Sequence, residues 1–376
     1  MKKFLLIAGF ADSLINFRWD LICALQAKGL EVHVAAPEIS SSPTTLEKLR
    51  NNGVFAHDVP MQRTGTNPIE DFKTLIALRQ LMQQVRPDYV MAYTIKPVIY
   101  GMLAAASTGV PNRAALITGL GYAFQDSEGS TKQNLIRRVT RQLYARALSA
   151  ADLTFFQNED DQKLFTDLGI IRPGQNTVVV NGSGVNTEKF SPQPLPEGDE
   201  VHFLLIGRLL KDKGVREYVE AARRVKQQYP QAVFNLVGFL DSNPSSVTQQ
   251  ELDQWVNEGT VKFWGKLSDV RPAINACHVF VLPSYREGTP RTVLEAMATG
   301  RAIITTDAPG CRQTVENGYN GWLVPVQSAE KLAEAMERFL SEPALIQQMG
   351  QASLEIARNK YDVNIINDFM LNQLKI

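Results

Sequence analysis

Two carboxylates stand eight positions apart in YREGTPRTVLEAMATG, Glu287 ahead of a Thr-Pro pair and Glu295 inside an apolar-periodic run. Thr289 and Pro290 suit the N-cap and first position of a helix over RTVLEAMATG, which leaves Glu287 in the loop after VFVLPS and Glu295 in the second helical turn. Arg291 and Thr292 then share a face with Glu295, with Val293 between them in the same turn. Free amides at such a helix start attract an anion such as a diphosphate, and Gly288 lets backbone come close to it. A carboxylate one turn further on can accept hydrogen bonds from two neighbouring hydroxyls, as a ribose offers, and the loop acid can do the same for a second sugar beyond the phosphates. Taken alone, either acid could equally be a surface carboxylate. A second stretch, HFLLIGRLLKDKGVREY, puts Arg208 just after an apolar run and Lys213 at the next helix start. A planar guanidinium fork and a point-charge ammonium together suit a diphosphate.

The elements that must position these groups are read from the rhythm of the chain. Short apolar runs alternate with helical patterns as far as about Pro343, the signature of parallel sheets covered by crossover helices. In the first half the expected strands are FLLIAG, EVHVAAP, VFAHDVP, YVMAYT, AALIT, LTFFQN and TVVVNG; in the second they are HFLLIG, AVFNLVG, VKFWG, VFVLPS, AIITTD and GWLVP. FSPQPLPEGDE, residues 190–200, resists both helix and strand and is the expected linker. The expected division is a first doubly wound domain over 1–192, a second over 193–357, and a terminal helix over 358–376 whose Val363, Ile366, Phe369, Met370 and Leu374 pack back on the first. Ligands of open α/β sheets bind at the carboxyl ends of the strands, so two such halves would share a cleft.

A chain of 376 residues, 44% hydrophobic and 21% charged, has room for two cores. Cys23, Cys277 and Cys311 have no paired or metal-type spacing, which fits a reducing cytoplasm. The start MKKFLLIAGFADS imitates a secretory signal, but Asp12 interrupts it and it reads as a first strand; no stretch reaches the roughly 18 to 20 apolar residues of a membrane span. Residues 1–192 hold 20 Lys/Arg against 17 Asp/Glu and the remainder 19 against 22, too even a balance for nucleic acid.

GRLLKDKG, the spacing in EGTPRTVLEAMATG, FVLPS and NGYNGWLVP together make the chain resemble the retaining family 4 glycosyltransferases of GT-B fold, over nearly its whole length. The resemblance implies two Rossmann-like domains facing across a cleft, with a UDP-sugar held mainly by the second. It implies Glu287 as ligand of the donor sugar, Glu295 as ligand of the ribose, Arg208 and Lys213 as a diphosphate clamp, Gly265, Lys266 and Leu267 around the base, and Gly288, Thr289, Pro290, Arg291, Thr292 and Val293 among the donor contacts. In a retaining transfer the departing phosphate oxygen can serve as base, so the protein mainly stabilises negative charge. No Asp-x-Asp occurs, so neither a metal nor another cofactor is expected.

In AGFADSLINFR, Gly9 ends the first strand and Asp12, Ser13 and Arg18 follow. Asp12 or Ser13 as an N-cap is a sufficient local reading; the resemblance adds that this loop meets donor phosphates and acceptor. Where many members of the family carry a histidine near a proline, this chain has Lys96-Pro97, and His33, His57, His202 and His278 all read as structural. TIKPVIYG with ITGLGYAF further resembles the subgroup acting on undecaprenyl-diphosphate-linked saccharides in surface polysaccharide and glycan assembly, N-acetylgalactosaminyl transferases included. That makes Tyr93, Lys96, Gly119 and Gly121 acceptor-side residues, Lys96 either meeting the acceptor's diphosphate or standing solvated in a loop.

A lipid-linked acceptor needs a route to a membrane. Between Glu128 and Asp152 there is no acid, while Arg137, Arg138 and Arg141 group on one side of a helical wheel and Leu135, Ile136, Val139 and Leu143 on another. The pattern fits a basic interfacial helix on the cytoplasmic face, and equally an ordinary crossover helix with a solvated cationic side. A nicotinamide oxidoreductase is disfavoured because no Gly-x-Gly-x-x-Gly follows any strand. A nucleotide-sugar epimerase of the same shape and a non-catalytic sugar-nucleotide-binding subunit remain alternatives.

Overall fold

The computed structural model describes residues 1–62, 67–120, 124, 131–241, 243 and 245–376, with the side chains of 131–133 outside the description. The chain forms two compact units, residues 1–183 with 366–376 and residues 184–365.

The first unit is a seven-stranded parallel sheet in the order β3-β2-β1-β4-β5-β6-β7. Its strands are β1 Lys3–Ile7, β2 Glu31–Ala36, β3 Phe55–Asp58, β4 Tyr89–Tyr93, β5 Asn112–Ile117, β6 Leu153–Phe156 and β7 Thr177–Val179. Its helices are α1 Asp12–Ala27, α2 Pro43–Asn51, α3 Pro68–Val85, α4 Ile95–Ser107, α5 Thr131–Ser149 and α6 Glu159–Asp167. Alternation along β1 explains why its whole run is apolar: Leu5 and Ile7 enter the core under α3, α4 and α5, while Phe4 and Leu6 enter the core under α1. A strand covered on both faces has no polar side.

The second unit repeats the plan with six parallel strands in the order β10-β9-β8-β11-β12-β13. They are β8 His202–Ile206, β9 Val233–Val237, β10 Lys262–Phe263, β11 Val279–Leu282, β12 Ala302–Thr306 and β13 Gly321–Val324. Helices α7 Val215–Gln228, α8 Gln249–Asn257, α9 Arg271–Asn275, α10 Arg291–Ala298, α11 Ala329–Ser341 and α12 Ala344–Lys360 cover it, and α13 Val363–Gln373 ends the chain. Phe203 and Leu205 of β8 face α7 and α11; Leu204 and Ile206 face α9 and α10.

Three boundaries differ from the sequence reading. The change of unit falls between Ser183 and Gly184 rather than after 192. The proline-rich segment belongs to the second unit because the fully buried Arg301 guanidinium donates to the carbonyls of Gln193 and Pro194 at 3.2 and 3.0 Å, and His278 Nε2 lies 3.2 Å from the Pro196 carbonyl. The return to the first unit comes at Ile366 rather than 358, since Val363 N–H donates to the Val185 carbonyl while Ile366, Met370 and Leu371 enter the core under α1. Phe369, expected to pack, is 37% exposed.

Candidate functional site

In both sheets the strand order reverses beside the first strand, between β1 and β4 and between β8 and β11. Such a switch point opens a crevice at the carboxyl ends of the two strands. In the second unit the residues singled out from the sequence converge there. Lys213 closes a short 3-10 turn after β8, Glu287 lies in the loop after β11, and the two form an ion pair, both side chains being more than four-fifths buried. Ser284, at the end of β11, donates its hydroxyl to Glu287 Oε1 at 2.7 Å. Two glycines make this possible. Gly214 is left-handed (φ 69°) and packs where a Cβ would overlap the Pro283 carbonyl; Gly310 (φ 78°) does the same against the Glu287 carbonyl, beside the bond from Glu287 N–H to Pro309 O at 3.0 Å. Thr306 in turn donates its hydroxyl to the Ser284 carbonyl.

Arg208 follows β8 by two residues and is 43% exposed, its Nη1 3.4 Å from Asp241, so its guanidinium is the more available cation of the pair. The helix after Glu287 starts one residue later than expected: Pro290 takes the N-cap position with φ −74° and ψ 104°, and α10 begins at Arg291. Thr289 therefore precedes the cap, and the intrahelical ladder opens with Leu294 N–H on the Pro290 carbonyl at 3.3 Å. Glu295 is 6% exposed, with Arg291 Nε 3.0 Å from it. Burial pushes its carboxyl above the usual range, and the Arg291 and Lys189 charges oppose that shift. Gly288 is buried beside this loop and Thr292 is half-buried. Val293, expected among the donor contacts, is a correction: its side chain is fully buried in the core and its amide bonds to the Pro290 carbonyl, so it only holds the helix in place.

Around the expected base site, Gly265 is left-handed (φ 72°) and its carbonyl accepts from Gly238 N–H at 3.0 Å. Lys266 is exposed, lying 5.1 Å from the ring centre of the 38%-exposed Phe239, and Leu267 packs on the core beside α9.

The same crevice in the first unit is bridged without an ion pair. The buried hydroxyls of Ser13 and Tyr93 lie 2.7 Å apart, and Ser13 also donates to the Phe10 carbonyl at 2.6 Å. Arg18 stacks over Tyr93 at 5.0 Å and donates to Ser183 at 3.1 Å while 3% exposed. Burial pushes the Tyr93 hydroxyl up to about 12, so it stays protonated. Ser13, Arg18 and Tyr93 thus form one buried network instead of an open acceptor surface. Asp12 caps no amide by the local reading; its Oδ1 accepts from Ser42 and Thr45 hydroxyls at 2.8 and 2.7 Å, and the cap position is Ala11. Lys96 is neither solvated nor in a loop: it lies in the first turn of α4 and pairs with Asp71 of α3 at 2.7 Å, side chains 13% and 16% exposed. Gly9 stands at the end of β1 and Gly119 (φ 144°) after β5, while Gly121 lies outside the described residues.

On α5, Leu135 and Val139 are 61% and 45% exposed while Leu143 packs on the core. Arg137, Arg138 and Arg141 line a groove of about 510 Å³ between α5 and Leu168–Ile170. The four histidines sit in or beside strands: His33 lies 2.9 Å from His57 and 2.8 Å from Glu31, and His278 Nδ1 accepts from His202 N–H at 3.1 Å.

Of the residues this geometry uses, the Ser284 hydroxyl, Gly310, Asp71 and Asp241 escaped the sequence reading, while Gly214 was read as opening the helix after Lys213. Ser284 was legible in principle, since LPSYREG puts a hydroxyl three residues before the acid. Asp71 and Asp241 were not, because each meets its partner only through packing of elements 25 and 33 residues apart.

Comparison with known proteins agrees with this layout. Residues 186–355 match the family described as "Glycosyl transferases group 1" and residues 16–182 the "Glycosyl transferase 4-like domain". The Campylobacter jejuni N,N'-diacetylbacillosaminyl-diphospho-undecaprenol alpha-1,3-N-acetylgalactosaminyltransferase is 31% identical over 367 residues, 94% of this chain and 93% of the relative. An Escherichia coli UDP-Gal:alpha-D-GlcNAc-diphosphoundecaprenol alpha-1,3-galactosyltransferase is 28% identical over 78% of this chain and 77% of its own. Among solved structures, sucrose-phosphate synthase from Thermosynechococcus elongatus superimposes with a TM-score of 0.81 at 20% identity, covering 100% of this chain and 98% of that one.

Proposed function

The chain belongs to the group 1 glycosyltransferase family, an enzyme built from two GT-B-type parallel-sheet domains, and from that premise we propose that it transfers an N-acetylhexosamine, specifically N-acetylgalactosamine in α linkage, from a UDP-sugar to an undecaprenyl-diphosphate-linked saccharide with retention of configuration. Support for the sugar and acceptor comes from the relatives, which act on diphospho-undecaprenol-linked sugars, one with N-acetylgalactosamine and one with a UDP-sugar. The single observation that carries the chemistry is the Lys213–Glu287 pair across the second switch point, with Glu295 on the adjoining helix.

At rest Glu287 neutralises Lys213 and Ser284 fixes the carboxylate's orientation. When a UDP-sugar binds, its diphosphate competes for Lys213 and for the exposed Arg208, and Glu287 turns its remaining capacity to the sugar's hydroxyls. Cleavage of the sugar–phosphate bond leaves charge on the diphosphate, which these two cations stabilise more in the transition state than in the substrate. The attacking acceptor hydroxyl passes its proton to the departing phosphate oxygen on the same face. Glu295 takes the ribose hydroxyls, and the backbone from Gly265 to Leu267 borders the base. Transfer by this route needs no divalent metal.

For the membrane, α5 supplies two exposed apolar side chains, Leu135 and Val139, next to three arginines. That surface fits reversible attachment to the cytoplasmic leaflet. Among the described residues no helix is long and apolar enough to cross a membrane.

The test is incubation of purified protein with a panel of labelled UDP-sugars and diphospho-undecaprenol-linked saccharides, with and without chelator. Chelator-resistant transfer of N-acetylgalactosamine is expected. Transfer abolished by chelator and restored by magnesium or manganese would overturn the metal-free mechanism, and no transfer from any donor would overturn the enzymatic reading.

A further inference from the structure

Tyr285 stands in the loop after β11, one residue after Ser284 and two before Glu287, yet its polar groups are spent on the opposite wall of the crevice. Its N–H donates to the Asp212 carbonyl at 2.8 Å and its hydroxyl donates to Glu217 Oε1 at 2.6 Å. Asp212 precedes Lys213, and Glu217 lies four residues after it in the first turn of α7, so one residue grips the chain on both sides of the lysine. Resting on the transferase reading above, we infer that Tyr285 and Glu217 are positioning residues for transfer: the bond between them fixes the spacing of the two walls, so that Lys213 and Glu287 keep their places when a diphosphate takes the lysine from the acid.

The ion pair cannot do this by itself. Lys213 exchanges Glu287 for a phosphate on binding, and the Lys213–Glu287 link between the walls opens just when the cation is needed. Three other contacts do not depend on that pair: the close approach of Gly214 to the Pro283 carbonyl, the Tyr285 amide on Asp212, and the Tyr285 hydroxyl on Glu217. Of the three, the last is made between side chains and reaches furthest into α7.

The chemistry of the bond suits a fixed brace. Glu217 Oε2 is buried and has no hydrogen-bond partner among the described residues, so the tyrosine hydroxyl is the donor that compensates this carboxylate. A hydroxyl donating to a carboxylate makes a charge-assisted bond, shorter and stronger than a neutral one. Burial first, then the Glu217 carboxylate, holds the Tyr285 hydroxyl well above its ordinary value, and Arg216 and Asp212 are the other charges that act on it. It therefore keeps its proton, and remains the donor, at any pH near neutrality. Loss of the brace would let the walls drift by a fraction of an ångström. Ground-state binding tolerates such a shift better than a transition state whose charge must meet placed groups.

The experiment compares the full native chain with Tyr285→Phe, Glu217→Ala, Glu217→Gln and the Tyr285→Phe plus Glu217→Ala double variant, using UDP-N-acetylgalactosamine and N,N'-diacetylbacillosaminyl-diphospho-undecaprenol or the pair that the panel above finds active. In Tyr285→Phe and in Glu217→Ala kcat is expected to fall about tenfold with the UDP-sugar KM within about twofold of native. Glu217→Gln should stay within about threefold of native, because its amide oxygen still accepts the hydroxyl. The double variant should be no more than about twofold below either single one, since both remove the same bond. A kcat within about twofold of native in both single variants, with only the melting temperature lowered, would overturn the inference, as would losses that multiply in the double variant. A second readout needs no turnover: the coupling between Lys213→Met and Glu287→Gln in an unfolding double-mutant cycle, run in the native and the Tyr285→Phe background, should fall about threefold or more, as a ratio of unfolding constants, in the latter. Equal coupling in both backgrounds overturns the brace. Weakened coupling in a chain that transfers no sugar from any donor keeps the brace and overturns the transferase reading, and equal coupling in such a chain overturns both.

Discussion

The two switch points are bridged by opposite chemistries. Between β8 and β11 the bridge is an ion pair, Lys213 with Glu287, set by Ser284 and by two glycines that admit backbone where no other residue fits. Between β1 and β4 it is a neutral contact, Ser13 with Tyr93, closed over by Arg18. An ion pair this buried, 17% and 15% exposed, gives up Lys213 only to a ligand that supplies both an anion for Lys213 and hydroxyl donors for Glu287, since neither charge can be left unpaired. A serine–tyrosine contact 1% and 3% exposed has nothing to exchange. The same topology therefore holds a displaceable ion pair at the switch point of the second unit and a closed neutral contact at that of the first.

Lys213→Ala is the sharpest way to break that contrast. It removes stabilisation of the leaving diphosphate and strands Glu287, and turnover should fall about 10²-fold or more, read from steady-state rates. A fall under about threefold would make the second bridge structural as well. Next in size is the division of labour between the acids: Glu295→Ala should weaken UDP itself by about tenfold in titration calorimetry, whereas Glu287→Ala should spare UDP and weaken only the UDP-sugar. Equal losses on both ligands would remove the assignment.

Surface chemistry of the first unit comes third. Arg137→Glu with Arg141→Glu should weaken co-sedimentation with anionic vesicles tens-fold, taking about 1 kcal/mol per basic residue near the surface, and added salt should weaken the native chain likewise. A folded double variant that binds as well as native would make α5 an ordinary crossover helix. Tyr93→Phe tests the neutral seam: it should lower stability by about 1 kcal/mol in thermal unfolding and leave UDP affinity unchanged.

The smallest effect is a pH dependence in the first turn of α7, three residues beyond Lys213. Arg216 and Thr248 hold the Glu251 carboxyl down at about 2, below its ordinary value of 4.5. A depressed acid contributes stability that is fully present above 4.5 and is lost as pH falls from there through about 2. Acid unfolding curves of Arg216→Ala should be flatter across that window; identical slopes would show that the pair contributes nothing.

The sequence made the strands legible because each was an apolar run of parallel-sheet length between turn residues, and the structure has strands in all thirteen expected places. It also placed Lys213 and Glu287 each after a strand, at the carboxyl end of the sheet where open α/β sheets bind ligands, and the family resemblance joined them; that their strands β8 and β11 are neighbours is seen in the structure. What stayed hidden depended on packing. Proline content alone made 190–200 look like a free linker, whereas the buried Arg301 ties part of it down through carbonyls that have no sequence signature. Lys96 read either as a contact for the acceptor's diphosphate or as a solvated loop lysine, because nothing near it in the sequence shows that Asp71, 25 residues away, pairs with it at the start of α4. Ser13 and Arg18 read as cleft residues because their polarity hides that a tyrosine 80 positions away completes their surroundings.

The most direct measurement of the central claim is the anomeric configuration of the product formed from UDP-N-acetylgalactosamine and N,N'-diacetylbacillosaminyl-diphospho-undecaprenol, read from the proton coupling at the new glycosidic carbon. The account expects an α-linked N-acetylgalactosamine, formed in the presence of chelator and lost in Lys213→Ala. A β-linked product, or an α-linked product made at native rate by Lys213→Ala, would contradict it.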